Sequence, residues 1–455
     1  MSKLIVIIGA GPAGLTTALE LLRQGNHNEV VVLEADKQIG GLAKTIRWGN
    51  NRFDVGGHRY FSTDTRVREW WNGILPMPEV RRHSSVYFQQ QYLDYPIKFS
   101  NDTLNKLGSR LMLQIIWSYL EARVRQSSIE SLEGFFISRF GEKLYRLFFH
   151  DYTKKVWGKD PSEISPDWGP ERIKGISLSE IARTAFAKRS GEPSLTDRFY
   201  YPRHGSGELW ETVAEEIEKL GGKILVNHTV TQLKRDGDRI VEAFCTTPTG
   251  NVSISGDHFI STMPLRDLIN CIPNIPAEVV SVANRLSYRD MVVVGVLLDR
   301  TRLSQEGSIV LETIDQWIYV QDKDIDFGRI QVVNNWSEEM IEEPDAHLLL
   351  VLEYFCQSGD ALWMTPDKDW QESIAADLNR IGILQDKSAI IKYDVNRIPK
   401  AYPCYWDGYQ DIEVMANYLA TIHNLICIGR NGKHQYKNMD DIVIDAINLV
   451  LSLND

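Results

Sequence analysis

Cysteine is scarce in this chain of 455 residues: Cys245, Cys271, Cys356, Cys404 and Cys427 are all there are. The number is odd, and no two stand at the CxxC spacing of zinc sites and dithiol redox motifs. A disulfide framework and a zinc cluster are both poor readings, and no metal site is expected. The thiols are expected to be buried in a reducing compartment, the cytoplasm. Long apolar runs are missing too. Residues 4–8 are too few for the hydrophobic region of a secretion signal and lead straight into glycines. The stretch 111–120 contains Gln114 and Ser118 and falls far short of a bilayer span, so it reads as a core helix, with a membrane-surface role as the lesser alternative, and no stable membrane insertion is expected. Net positive charge is also absent: 50 Lys and Arg against 61 Asp and Glu leave a formal charge of −11. A chain of that sign repels phosphate backbones, which argues against nucleic acid as a partner. It leaves room for a small anionic ligand held by a few arginines.

What is present begins at the N-terminus. Leu4-Ile5-Val6-Ile7-Ile8 is an uninterrupted, β-rich apolar run, as a parallel strand buried on both faces requires. Gly9-Ala10-Gly11-Pro12-Ala13-Gly14 follows at once. Apolar residues at helical spacing then run over 15–22, Gly25-Asn26 breaks the helix, and a second strand, Val30-Val31-Val32-Leu33, ends at Glu34-Ala35. Gly9 permits a tight turn, Gly11 lets the backbone approach a pyrophosphate, and Gly14 lets helix and strand pack closely. The helix N-terminus offers unpaired N–H groups to phosphate. Glu34, 20 residues past Gly14, can accept hydrogen bonds from ribose hydroxyls. Strand, glycine loop, helix, second strand and acid are all in register, which points to a dinucleotide cofactor. Gly40-Gly41-Leu42 then lets the chain pass close under an extended dinucleotide, and Asp54-Val55-Gly56-Gly57-His58 adds another close-approach turn. This order of acid, glycine pair and second Gly-Gly turn resembles flavoproteins of the amine oxidase type. The resemblance implies that the cofactor is FAD.

Later stretches return to the same unit. Residues 222–230 read as a strand with 240–244 as its partner, bringing Val230 toward the cofactor; 258–263 form another short strand ending at Thr262. At the C-terminus, 425–428 form a strand, Gly429-Arg430-Asn431-Gly432 a turn, and Asn438-Met439-Asp440-Asp441 the cap of an apolar helix over 442–451. Between these returns, 76–204 are mostly helical in pattern, and 286–414 contain alternating strands at 291–298, 317–321, 329–333 and 347–355. The expected fold is α/β: a discontinuous Rossmann-type FAD-binding domain (1–75, 205–285 and 415–455), a mainly helical substrate or cap domain (76–204), and a domain built on an antiparallel β-sheet (286–414). No internal repeat or low-complexity segment is visible.

Further motifs make the chain similar to the UDP-galactopyranose mutase family, within the wider amine oxidase and protoporphyrinogen oxidase-like flavoproteins. Gly57-His58 before Phe61-Ser62-Thr63 resembles that family's turn beside the flavin. Gly141-Glu142-Lys143-Leu144-Tyr145, followed by Tyr152-Thr153-Lys154-Lys155-Val156-Trp157-Gly158, resembles its substrate-domain helix, whose tyrosine and tryptophan line a nucleotide-sugar pocket. Arg329 falls where the family has an arginine near flavin and substrate phosphates, and Tyr402-Pro403 resembles a Tyr-Pro that reaches the diphosphate. Gly429-Arg430, Tyr436 and Asn438-Met439-Asp440 resemble a segment touching both flavin and diphosphate. Two positions depart from the family: Phe61 stands where it has a second histidine, and Ile176 where its mobile loop has an arginine, with Arg172 matching the other loop arginine.

The resemblance implies a small-molecule substrate, a nucleotide-linked sugar, and a pyranose–furanose isomerisation. Reduced flavin supplies N5 as the nucleophile at the anomeric carbon while the nucleotide diphosphate leaves. Arg329 and Arg430 are then the diphosphate cations, since guanidinium matches phosphate and keeps its charge. Tyr402 and Tyr436 donate hydroxyls, Tyr152 and Trp157 line the pocket, and His58 stands beside the flavin. Structural alternatives stand next to these roles: an ion pair for Arg329, with Glu353 a retained family carboxylate or an arginine's buried partner, and core packing for the aromatics. Two other functions remain open. One is an oxidoreductase of the amine oxidase or protoporphyrinogen oxidase type, taking hydride from a small molecule; the other is a protein that binds FAD without turnover.

Overall fold

The computed structural model describes residues 3–25, 28–95, 108–125, 129–172 and 198–453. Leu4–Ile8 is the central strand of a five-stranded parallel sheet ordered Leu425–Cys427, His258–Ser261, Leu4–Ile8, Glu29–Leu33, Lys223–Leu225. The central strand is apolar throughout because both its faces are covered. Ile5 and Ile7 enter a core with Leu15, Leu19, Trp210 and Val443, supplied by helices Pro12–Arg23, Gly207–Lys219 and Met439–Ser452. Val6 and Ile8 face the other way, toward Phe259, Leu265, Leu268 and Leu419. Since all five strands run parallel, their carboxyl ends share one edge of the sheet, where ligands of open α/β sheets bind. Gly9, Glu34, Thr262 and Gly429 all stand just past strand ends on that edge.

The segment 222–230 is not one strand. Lys223–Leu225 closes the edge of the parallel sheet, whereas Thr229–Asp236 pairs with Arg239–Thr247 in a separate three-stranded antiparallel sheet. Asn227, with φ 56°, turns the chain between the two through the left-handed region that asparagine tolerates better than branched residues.

The second large sheet has seven strands, ordered Ile390–Pro403, Tyr288–Asp299, His347–Cys356, Arg329–Val332, Trp317–Val320, Ser84–Phe88, Gln91–Asp94. Its pairings are antiparallel except one: Trp317–Val320 runs parallel to Ser84–Phe88. The sheet therefore draws two strands from the stretch whose pattern is mainly helical. Alternation along Tyr288–Asp299 sorts its two faces. Val292, Val294, Val296 and Leu298 pack toward helix Trp370–Arg380, while Met291, Val293 and Leu297 pack toward Phe53, Tyr201 and Trp336.

Helices Leu132–Phe140, Glu142–Phe148 and His150–Trp157 enclose a further, aromatic core of Phe136, Phe140, Tyr145, Trp157 and Trp168. Helix Ser109–Arg125 packs beside them through Met112 and Ile115, but Leu113, Ile116, Trp117 and Leu120 are exposed. The 111–120 stretch is thus half a core helix, with a second apolar face turned outward. All five cysteines are free thiols.

Candidate active site

The strand ends open on a cavity of about 500 Å³. Three distant parts of the chain line it. The first supplies Gly9, Gly11, Pro12, Ala13, Glu34, Ala35, Gly41, Leu42 and His58. The second supplies Val230 and Thr262, and the third Gly429, Arg430 and Met439. Gly9 adopts φ +104°, and a Cβ there would stand 2.1 Å from Thr262 Oγ1. A Cβ at Gly14 would stand 2.0 Å from the Gly9 carbonyl oxygen, so Gly14 serves helix–strand contact and does not face the cavity. Gly11 is the N-cap of helix Pro12–Arg23, Pro12 occupies its first turn, and no side chain caps it, which leaves the N–H groups of that turn for a ligand. The carboxylate of Glu34 accepts from the Ala10 N–H (2.7 Å) and the Asp36 N–H (2.8 Å), which fixes its orientation and leaves lone pairs for hydroxyl donors.

Gly40, Gly57, Asn438 and Asp440 do not line this cavity. The Gly40 N–H donates to the Ala10 carbonyl (2.8 Å), tying the second glycine pair to the first loop. Gly57 lies against the face of Trp317, where a Cβ would meet the ring at 2.9 Å. Asn438 forms a capping box with Asp441 at the start of the last helix. Burial, aided by the neighbouring Asp441, raises the Asp440 carboxyl above its usual range.

Arg430 links the cavity to a second cluster. Its Nε and Nη2 donate to the Lys437 carbonyl (3.0 and 2.7 Å). The guanidinium lies 4.9 Å from the Tyr436 ring centroid and 5.7 Å from that of Tyr402. The two tyrosines stack at 6.0 Å and 14°. Among the described residues no carboxylate pairs with Arg430. Tyr402 ends strand Ile390–Pro403, accepts from Arg329 Nη2 (2.9 Å) through its hydroxyl, and packs edge-on to Trp157 (5.9 Å). Arg329, Tyr402, Trp157, Tyr436 and Arg430 are therefore in one place although they span more than 270 positions of sequence.

Arg329 also has the structural partner that its position allows. It is the cross-strand neighbour of Glu353 and forms an ion pair with it, 4% and 0% exposed. Glu353 accepts in addition from Gln331 (3.0 Å). Burial is the largest influence and opposes the Arg329 charge, but Glu353 together with Tyr402 and Tyr152 outweighs it and raises the guanidinium well above its usual range. His58 behaves oppositely. Burial and the charge of Arg430, with a smaller contribution from Arg329, pull it down to about 4, so its ring is neutral at pH 7. Tyr152 packs edge-on to Tyr319 at 5.9 Å and lies within electrostatic reach of Arg329. Arg172 ends helix Trp168–Arg172, but its side chain and Ile176 lie outside the described residues.

Sequence reasoning passes over three contributors. Trp317 stacks on Tyr319 (5.7 Å, 9°), carries the Arg329 guanidinium 5.0 Å from its centroid, and closes the cluster against Gly57. Lys155 Nζ donates to the carbonyls of Asp322 (2.6 Å), Ile325 (2.9 Å) and Val320 (3.2 Å), which pins the helix of Tyr152 and Trp157 to the sheet. Burial lowers its ammonium to about 8. Asp54, just before the Gly56-Gly57 turn, accepts from Thr45 (2.6 Å) and Tyr201 (2.7 Å), and burial raises it to about 6. Each depends on a partner from a distant part of the chain: Trp317 on Gly57, Lys155 on the carbonyls of 320–325, and Asp54 on Tyr201.

A parallel sheet that gathers a bare glycine loop, an oriented acid and an arginine around one cleft defines a dinucleotide-cofactor protein. The chain belongs to the flavin containing amine oxidoreductase family, matched over residues 12–389, and its cofactor is FAD. It is 30% identical over 174 residues to a Klebsiella pneumoniae protein named for UDP-galactopyranose mutase, covering 36% of this chain and 43% of that one. It is 25% identical over 267 residues to an inactive all-trans-retinol 13,14-reductase of Danio rerio, covering 50% and 42%. The chain thus spans less than half the length of these curated relatives. A crystal structure of reduced UDP-galactopyranose mutase superposes with a TM-score of 0.82 over 100% of this chain and 94% of that one, at 21% identity, which establishes the shared fold. Among the described residues, no helix is long and apolar enough to cross a membrane.

Proposed function

We propose that this flavoenzyme acts on a nucleotide-linked sugar and interconverts its pyranose and furanose rings. The observation that carries the reading is the cluster of Arg430, Tyr402, Tyr436 and Arg329 at the border of the cofactor cavity. It offers a guanidinium that has no carboxylate partner among the described residues, two stacked phenols and a second, ion-paired guanidinium, a set suited to a diphosphate. Reduced FAD supplies the nucleophile when bound. The chain's own groups then do the rest. Gly11 and the first turn of helix Pro12–Arg23 receive the cofactor's pyrophosphate, and Glu34 receives the adenosine ribose. Arg430 is held by the Lys437 carbonyl, so it meets the departing diphosphate without reorganisation. Arg329 aims the Tyr402 hydroxyl, and Trp157 backs that ring. His58, neutral at pH 7, supplies a hydrogen-bonding edge rather than a charge.

The second reading is an oxidoreductase taking hydride from a small molecule. The family to which the chain belongs and the replacements at Phe61 and Ile176 favour it. One experiment separates the two. The purified FAD-loaded protein, reduced with dithionite under nitrogen, is offered a panel of nucleotide sugars and the products are separated by chromatography. A product of unchanged mass, formed only after reduction, is expected, and Arg430→Ala should weaken nucleotide-diphosphate binding about tenfold or more. Absence of any isomer across the panel, with bleaching of oxidised flavin by an amine or other hydride donor, would move the assignment to the oxidoreductase.

A further inference from the structure

Helix Ser109–Arg125 presents two apolar faces, and the core uses one. Each residue advances about 100° around the axis. Met112 and Ile115 are buried, while Leu113 (67% exposed), Ile116 (47%), Trp117 (72%), Leu120 (53%) and Val124 (83%) form an outward stripe about 100° wide. Arg123 falls within about 20° of one edge of that stripe and Arg110 within about 20° of the other. Among the described residues, no other helix carries as many exposed large apolar side chains. Charge sets the helix apart as well. Arg110, Arg123 and Arg125 against Glu121 give it +2, in a chain of net charge −11.

We infer that this helix is a peripheral docking element that lays its stripe into an anionic phospholipid surface. An interfacial helix needs an apolar face with basic residues at its margins and an aromatic anchor, here Leu113, Ile116, Trp117, Leu120 and Val124 between Arg110 and Arg123. A second copy of the chain fits less well. The helix is about 25 Å long, so the stripe offers roughly 250 Å², against about 800 Å² per partner in a standard stable interface. A bilayer sets no such minimum area. Docking of this kind involves no crossing of the membrane, and it is independent of the reaction proposed above.

The test uses the FAD-loaded protein and sedimentation with two kinds of vesicle, phosphatidylcholine alone and phosphatidylcholine containing three parts in ten phosphatidylglycerol. Binding is expected to the anionic vesicles, at least about tenfold stronger than to the neutral ones and weakened by high salt. The double variant Trp117→Glu/Leu120→Glu should lose vesicle binding while keeping its flavin absorbance and melting temperature, because both side chains are exposed. Arg110→Gln/Arg123→Gln should lose the preference for anionic lipid. Sedimentation with neither vesicle, or equally with both, overturns the inference, as does undiminished binding by the Trp117→Glu/Leu120→Glu variant. Analytical ultracentrifugation supplies the other decisive outcome: a dimer that Trp117→Glu dissociates, without vesicle binding, would assign the stripe to a second copy.

Discussion

Gly11 and Gly14 are three residues apart, yet an added side chain meets different surroundings at each. At Gly11 the nearest atom to a new Cβ is the Gly41 Cα, at 3.8 Å, and the rest of the side chain would project into the cavity. At Gly14 the Cβ would collide with the Gly9 carbonyl oxygen at 2.0 Å. Gly11→Val is therefore expected to weaken FAD binding about tenfold or more while leaving the urea midpoint of the apoprotein unchanged. Gly14→Val should lower that midpoint, at a cost of about 1–3 kcal/mol, because helix and strand must move apart. Titration of the apoprotein with FAD and urea unfolding of both variants check the pair; equal effects on both quantities would refute the separation of roles. Glycine positions of this kind are legible in a sequence because their meaning is local: a strand, a turn and a helix follow within a few residues. Trp317 was not legible as a site residue because its significance comes from Gly57 and Arg329, which reach it from other elements.

At the scale of elements, the Arg329–Glu353 pair joins two adjacent strands of the seven-stranded sheet and stands at the root of the Tyr402 cluster. Removing one member of a fully buried pair leaves the other charge without compensation, which typically costs about 3–5 kcal/mol, whereas replacing both by apolar groups of similar volume is often close to neutral. Glu353→Ala is thus expected to destabilise the FAD-saturated protein by about 3 kcal/mol in urea unfolding. Arg329→Met/Glu353→Leu should recover most of that stability while still lacking the Tyr402 hydrogen bond. If the double variant recovered both stability and turnover, Arg329 would be a structural residue alone. The four strands expected in 286–414 were visible as alternation or as unbroken apolar runs, with limits within a few residues of those observed, but the edge strand Ile390–Pro403 was not among them. Two further features were not legible. The break at Asn227 depends on one left-handed residue inside an otherwise strand-like run. The recruitment of Ser84–Phe88 by Trp317–Val320 is a pairing across more than 220 residues, which no local pattern encodes.

At the scale of the whole molecule, the cofactor cavity is assembled from parts of the chain that begin near residue 8, near residue 228 and near residue 429. No one of them encloses it, so the cofactor is bound by the folded arrangement and acts as a tie between these parts. A ligand that binds only the native state adds RT ln(1 + [L]/Kd), about 2.7 kcal/mol at a hundredfold excess over Kd. Removal of FAD should therefore lower the melting temperature, and re-addition should raise it progressively with FAD concentration. The distribution of the effect is the more searching measurement. Hydrogen exchange compared between apo and FAD-loaded protein should show slowing at Gly9–Leu15, at Thr262–Asp267 and at Gly429–Met439 together, because the cofactor would touch all three. Slowing confined to Gly9–Leu15 would mean that only the N-terminal strand–helix unit grips the cofactor. The C-terminal turn would then be set by its own contacts, Arg430 to the Lys437 carbonyl and Asn431 to the Lys400 carbonyl, rather than by the ligand. Slowing at all three would also place Arg430 under the control of the cofactor, since its backbone lies between the Gly429 turn and the carbonyl that holds its side chain. Binding of FAD would then complete the cationic half of the substrate site.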